Sequence, residues 1–172
     1  APRLYFGVNA GAMDSMVNHY TAGRRRRSDD AYTPDGKAGM RPDMPTIVYS
    51  RILKELFPDV PVIAGGIEAS LRRVSHYDYW QDKLMPSILV DCHADMLIYG
   101  MGEKPMLEIV EALESGNNIT DLCNIPQTVV RQPLQAVPNA DTIKQTGDVI
   151  LHSFEECLRS KLKQAENFKH IE

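Results

Sequence analysis

Little in this chain of 172 residues is of the kind that staples or anchors a protein. It has three cysteines, Cys92, Cys123 and Cys157, an odd number spaced 31 and 34 residues apart. That spacing suits neither a disulfide framework nor a metal knuckle, so the thiols read as buried or inert and the compartment as a reducing cytoplasm. No apolar run approaches the roughly 18 residues of a membrane span, and no signal-peptide pattern opens the chain. Aromatic residues are sparse at 7%, with a single Trp, but hydrophobic residues reach 43%. That apolar share excludes a disordered tail, which could not offset the entropy of ordering. A single domain of this length buries roughly 70% of its unfolded surface, enough for a core without metal or cross-links. Neither sign of charge dominates: the net charge is −4, made of +2 in residues 1–86 and −6 in residues 87–172. A nucleic-acid binder is basic over a whole face, so the balance argues against such a partner, one arginine run excepted.

What is present is organised by three short apolar runs, Leu4–Val8, Pro61–Ala64 and Met96–Tyr99. None alternates polar with apolar, and each meets glycine within a few residues: Gly11, then Gly65 and Gly66, then Gly100 and Gly102. Continuous runs of this kind fit strands buried on both faces of a parallel sheet. Helical patterns separate them. Asp43 is placed to cap a helix with Pro45 in its first turn and an Ile47, Val48, Ile52, Leu53, Leu56 stripe, stopped by Pro58. A second helix is predicted over Glu103–Ser115, with Pro105 early and Gly116 as its C-terminal cap. Strands alternating with helices predict a three-layer α/β domain with a mostly parallel, doubly wound sheet of Rossmann or flavodoxin type. The run Leu4–Val8 begins almost at the first residue, Ala1, with no Met before it. The expectation is of a piece cut from a longer protein, truncated at its front.

Thr128–Gln132 reads as an edge strand between Pro126 and Pro133, and the polar stretch Pro133–Gly147, with Pro138, Asn139 and Asp141, as a linker. The expected division is therefore 1–132, an α/β domain, then 133–147, then 148–172. Asp148–His152 reads as a further short strand. Ser153 and Glu156 match a capping box opening one helix that puts Leu158, Leu162, Ala165 and Phe168 on a docking face.

In open α/β sheets ligands bind beyond the carboxyl ends of the strands, where loop amides and helix N-termini converge. Those ends carry Asn9–Ser15, Gly65–Ser70 and Gly100–Glu103, and their common edge is the expected site. The glycines do not form a G-x-G-x-x-G fingerprint, since Glu68 and Ser70 stand where the later glycines belong and Pro105 breaks the last loop. They fit turn residues as well as phosphate binding. His76-Tyr77-Asp78-Tyr79-Trp80, downstream of Arg72 and Arg73, is the densest run of polar-tipped aromatics beside a titratable pair. It fits a pocket, and it fits better an anchoring loop with Trp80 and one Tyr on the core and His76 in a fixed hydrogen bond. Asp91-Cys92-His93-Ala94-Asp95 lacks zinc-ligand spacing and reads as the turn into the next strand. Gly23–Pro42, with Arg24–Arg27, Asp29, Asp30 and a Thr33-Pro34-Asp35-Gly36 turn, is long for an aperiodic connection. Its arginines could grip phosphates or carboxylates, or pair with Asp29 and Asp30; the length favours an interface or lid.

Phe6–Met16, with Asn18, Tyr20 and Thr21, resembles the N-terminal region of the YgiQ-type radical SAM proteins. Ser28–Pro34, Gly65–Arg73 and His76–Trp80 resemble it too, in the same order. The likeness covers residues 4 to about 115, fades over 117–147, and returns at Val149–Glu172 as the family's stretch leading to its catalytic core. It implies a longer parent enzyme that binds a 4Fe-4S cluster through a C-x-x-x-C-x-x-C motif and cleaves S-adenosylmethionine to a radical. This chain has no such motif, so the resemblance implies no cluster, metal or radical chemistry for these residues by themselves and carries no catalytic residue over. The parent's radical SAM core would then be its partner. The layout also looks like the cobalamin-binding-type domain ahead of many radical SAM cores, but the cobalt-ligating D-x-H-x-x-G motif is missing, which puts cobalamin binding in question. Such a domain has two further strands before the one at Leu4, so their loss would leave an exposed edge and a homodimer through it.

The reading that results is an accessory domain covering or gating a catalytic core. Its expected ligand or interface residues are Asn9, Asp14, Gly65, Gly66, Glu68 and Arg72 on the first loops. On the aromatic run and the last loop they are His76, Tyr77, Asp78, Trp80 and Glu103. Two alternatives stay open: a stand-alone nucleotide or phosphoester module clamped by Arg24–Arg27, and an RNA-binding module using the same loop.

Overall fold

The computed structural model describes residues 1–136 and 140–171, so Pro138, Asn139 and Glu172 of the expectations above lie outside the described residues. The three apolar runs are strands: β1 is Phe6–Val8, β2 is Val62–Ala64 and β5 is Met96–Ile98. β1 pairs with β2 and β2 with β5, all parallel, with Phe6 opposite Val62 and Ile63 opposite Met96. Thr128–Val130, β6, closes the far edge antiparallel to β5, giving a sheet of order β1-β2-β5-β6. A separate two-stranded hairpin, β3 His76–Asp78 with β4 Lys83–Met85, lies off this sheet.

The alternation of strand side chains builds two cores. Val62, Ala64 and Leu97 face one way, onto Ala69, Ile88, Leu89 and Cys92. Those come from α3, Gly66–Leu71, and α4, Ile88–Cys92, with Ile47 and Leu53 of α2, Pro45–Leu56, packed alongside. Ile63, Met96 and Ile98 face the other way, onto Ile109 of α5, Glu103–Glu114, and Ile119. Helices cover both faces of a mostly parallel sheet, so the predicted three-layer Rossmann-like α/β architecture is the observed one. α5 ends as predicted, with Gly116 just past its last turn at φ +87°.

Several local expectations are corrected. Asp43 does not cap α2. Met44 occupies the cap with left-handed backbone, and the Asp43 carboxylate turns instead to His19 Nδ1 and the Tyr20 hydroxyl, both at 2.8 Å. The polar linker holds a helix, α6, Ala140–Thr146, because Ala, Lys and Gln favour helix whatever their polarity. Asp148–His152 forms no strand: the Asn167 side-chain amide bonds both the His152 N–H, at 2.8 Å, and its carbonyl, at 2.9 Å, in place of a neighbouring strand. The Ser153–Glu156 capping box is present, but the helix it opens is only α7, Phe154–Arg159. Extended backbone at Ser160 breaks it, and the Ser160 hydroxyl accepts from Lys163 N–H at 3.5 Å as α8, Lys161–Ile171, begins. A serine whose side chain caps a new helix competes with continuing the old one.

The long Gly23–Pro42 connection is pinned, not loose. Asp30 is buried between the Arg41 guanidinium, which meets both its oxygens, and Asn18 Nδ2 at 2.7 Å, with His19 Nε2 at 3.2 Å. Burial pushes the Asp30 carboxyl up, but the hydrogen bonds from Arg41, the Tyr32 amide and Asn18 outweigh it and hold the group well below the usual carboxylate range. Asp30 therefore pairs with Arg41 and not with the arginine run. Arg24 stacks on Tyr79, 4.6 Å from the ring centroid, and the Arg27 Nε–H donates to the Val17 and Tyr20 carbonyls.

Candidate functional site

The carboxyl ends of β1, β2 and β5 converge on one open cleft of about 370 Å³. Its floor is backbone and glycine, from Gly65, Gly66, Gly100 and Gly102, and its walls are Tyr5, Asn9, Glu103 and Met106. The Asn9 side chain accepts from Gly11 N–H at 2.9 Å, folding the β1 loop back over the sheet end. Gly66 needs to be glycine twice over: its φ is +77°, and a Cβ there would stand 3.1 Å from the Asn9 Cβ. Of the expected site residues, Asn9, Gly65, Gly66 and Glu103 meet here. Tyr5 and Met106 join them without having been singled out; Tyr5 sits just before β1 and Met106 one turn into α5, where spacing alone does not reveal which face meets the sheet end.

Glu68 is not in the cleft. It is fully buried one turn below, where its Oε2 accepts from the Ser15 amide and hydroxyl and its Oε1 from the Thr46 amide at 3.0 Å. The carboxylate thus ties α3 to the starts of both α2 and α1, Ser15–His19. Its part is to hold the loops that frame the cleft.

The other six expected residues gather at a second, smaller cavity of about 200 Å³, between α1 and the β3–β4 hairpin. Asp14 caps α1, accepting from Met16 N–H at 3.0 Å and Val17 N–H at 3.3 Å, and its other oxygen pairs with the Arg72 guanidinium. Asp78 ends β3 and accepts from Gln81 N–H at 2.8 Å. His76 has the fixed hydrogen bond expected of it, Nδ1 to the Val74 carbonyl at 3.1 Å, and burial pushes its imidazole below the usual range. Trp80 does not reach the core as expected: it is half-buried against Tyr20 and Tyr79, with ring centroids 5.5 and 5.3 Å away, while Tyr77 and Tyr79 stay well exposed. Tyr77 donates its hydroxyl to Asp82.

The residues do not fit a 4Fe-4S cluster. Cys92, the last residue of α4, lies in the core, where burial pushes its thiol up; Cys157 is buried on α7 beside Asn167, and Cys123 lies exposed by Gln132 near β6. Among the described residues no three His, Cys, Asp or Glu side chains are grouped to hold a metal ion. No helix of the described residues is long and apolar enough to cross a membrane.

Comparison with known proteins gives a family match over the whole chain. The family described as "Radical SAM N-terminal" matches residues 1–172. A UPF0313 protein of Porphyromonas gingivalis is 61% identical over 99% of this chain and 26% of its own length. One from Bacteroides thetaiotaomicron is 56% identical over 99% of this chain and 28% of its own, and UPF0313 protein YgiQ of Escherichia coli 52% over 83% and 20%. The chain thus spans about a quarter of the length of the curated relatives it matches. No solved structure matches it.

Proposed function

Because the chain belongs to the Radical SAM N-terminal family, we propose that it is the accessory N-terminal part of a longer radical SAM enzyme, seated on the catalytic core and helping to form or gate its substrate cleft. The observation that carries this reading is the exposure of large apolar side chains on the last two helices. Leu158, Leu162 and Phe168 are 57%, 68% and 57% exposed, and Phe168 lines a groove of about 690 Å³ between α8 and residues 71–77. Grouped large apolar side chains without cover mark a contact surface. The break at Ser160 puts Leu158 on α7 and Leu162 and Phe168 on α8, and the parent's core is the partner to which these side chains are assigned.

In this arrangement the cluster, S-adenosylmethionine and the radical belong to the core. The chain's own share is positional: the glycine floor lets a ligand or a loop of the core approach the backbone closely, and Glu68 keeps that floor in register. A cytoplasmic setting follows from the same assignment, since an iron–sulfur enzyme of this kind needs a reducing compartment. Among the described residues β1 has β2 as its one strand neighbour. Where the core leaves that edge open, a second copy is the partner proposed for it.

The test is binding between this chain and the separately produced remainder of the parent protein. A complex is expected, weakened at least about tenfold in a Leu162→Asp/Phe168→Asp variant, since burying each apolar side chain contributes roughly 1.5–3 kcal/mol. No complex, or equal binding by the folded variant, would overturn the reading.

A further inference from the structure

Arg24, Arg25, Arg26 and Arg27 are all exposed, and among the described residues none of them is in salt-bridge contact with a carboxylate. The acids nearby are otherwise engaged: Asp30 by Arg41, Asp35 by Lys37 and Asp43 by His19, while Asp29 accepts from the Ser28 hydroxyl. The run is ordered all the same. Tyr20 and Arg26 form an antiparallel bridge, Thr21 N–H bonds the Arg25 carbonyl at 2.8 Å, and Arg27 N–H bonds the His19 carbonyl at 2.8 Å. Arg24 stands at the turn with φ +59°, a backbone region uncommon for a residue with a side chain. The fold thus holds four like charges together and supplies no counter-charge, which is unfavourable until an anion arrives.

The second observation is aromatic. The tip of the β3–β4 hairpin is locked to this turn from both sides, since the Tyr79 hydroxyl donates to the Ala22 carbonyl at 2.8 Å and the Arg24 guanidinium donates to the Tyr79 carbonyl. Ring centroids run from Tyr20 to Trp80 at 5.5 Å and from Trp80 to Tyr79 at 5.3 Å, and the Arg24 guanidinium lies 4.6 Å from the Tyr79 centroid. Tyr79 is 48% exposed at the end of this line. Arg24 and Arg27 each spend N–H groups on backbone carbonyls, whereas the Arg25 and Arg26 guanidinium groups spend none among the described residues. We propose that this surface binds single-stranded nucleic acid, with Arg25 and Arg26 on phosphates and an unpaired base laid against the exposed Arg24–Tyr79 pair. Arginine forks match phosphate oxygens, and guanidinium and aromatic planes both stack on bases. An acidic peptide would use the charges but bring no flat group to the stack, and a duplex keeps its base faces covered. None of these residues lines the groove assigned to the catalytic core, so the two surfaces are read independently.

Trp80 is the chain's one tryptophan and belongs to the stack, so its fluorescence reports binding. The 172-residue chain is titrated with an oligouridylate and an oligodeoxythymidylate of about twelve nucleotides, within the span of single-strand sites. A saturable change is expected with at least one of them, the tighter strand naming the sugar. Between about 50 and 200 mM salt, log affinity should fall against log salt with a slope of about −1.4 to −2.8, the value for roughly two to four phosphates. Arg25→Gln/Arg26→Gln, which removes no hydrogen bond of the turn, should flatten that slope by about 1.4. Tyr79→Leu should weaken binding at least about fivefold while keeping most of the slope, since stacking does not depend on salt as ion contacts do. No saturable change with either strand, equal binding of poly-glutamate, or an unchanged slope in the folded double variant overturns the proposal.

Discussion

Glu68 and Thr46, 22 residues apart, meet through a hydrogen bond of 3.0 Å from the Thr46 amide to Glu68 Oε1. The helix that begins at Pro45 is therefore capped by a carboxylate from another helix, because Met44 has no side-chain oxygen and Asp43 is engaged elsewhere. The same carboxylate holds Ser15. One buried side chain thus joins three elements that frame the cleft.

Glu68→Ala should be among the most damaging substitutions in the chain. It strands the Ser15 and Thr46 amides in a dry interior, with an expected loss of about 3 kcal/mol. Urea unfolding measures it as a fall in midpoint at similar slope. Glu68→Gln, which keeps one acceptor oxygen, should lose less.

Asp30 and Arg41 predict the acid response of the arginine-rich loop. The folded Asp30 carboxyl lies below its unfolded value, so its contribution is present above about pH 4 and is lost as pH falls through the folded value. Arg41→Met removes the principal hydrogen-bond donor and leaves a buried carboxylate short of partners. The variant should be destabilised at pH 7 by roughly 3 kcal/mol. Its stability advantage of neutral over acid pH should shrink, and thermal melts of both proteins between pH 7 and pH 3 check this.

Gly66→Ala tests the cleft floor. Left-handed backbone and the approach to Asn9 each resist a Cβ, so a loss of about 1–2 kcal/mol is expected. Gly116→Ala, also at positive φ but with nothing within 4 Å, should cost less. Thermal denaturation of the pair separates backbone strain from the close contact.

Gly7→Pro tests self-association at the sheet edge. Phe6 N–H bonds Pro61 and Gly65 N–H bonds the Val8 carbonyl, so by strand alternation the Gly7 amide points to the open side. Proline there blocks edge pairing but spares the β1–β2 ladder. Sedimentation equilibrium should show the parent chain self-associating at high concentration and the variant monomeric; a wild-type monomer at the same concentration removes the homodimer.

The three parallel strands, both α2 and α5, the edge strand and the Ser153 capping box were legible in the residues, since each is set by local periodicity or by a fixed offset along the chain. The site was legible as a set of residues but not as an arrangement. Asn9, Gly65, Gly66 and Glu103 share one cleft, whereas Asp14, Arg72, His76, Tyr77, Asp78 and Trp80 share another. Strand order explains the first group, and an ion pair spanning 58 residues explains part of the second.

By itself the sequence determined which segments are strands and helices and where the chain turns, because burial on both faces and glycine's freedom leave marks within a few residues. Only the tertiary structure decided which polar groups are spent on the fold and which are left unpaired. Glu68 and Asp30 are consumed by partners 53 and 11 residues away, while Asp78 Oδ2 is buried without a partner among the described residues. That distinction turns on who lies within 3 Å of a buried atom, and neighbours of that kind are set by packing between elements that no local pattern records.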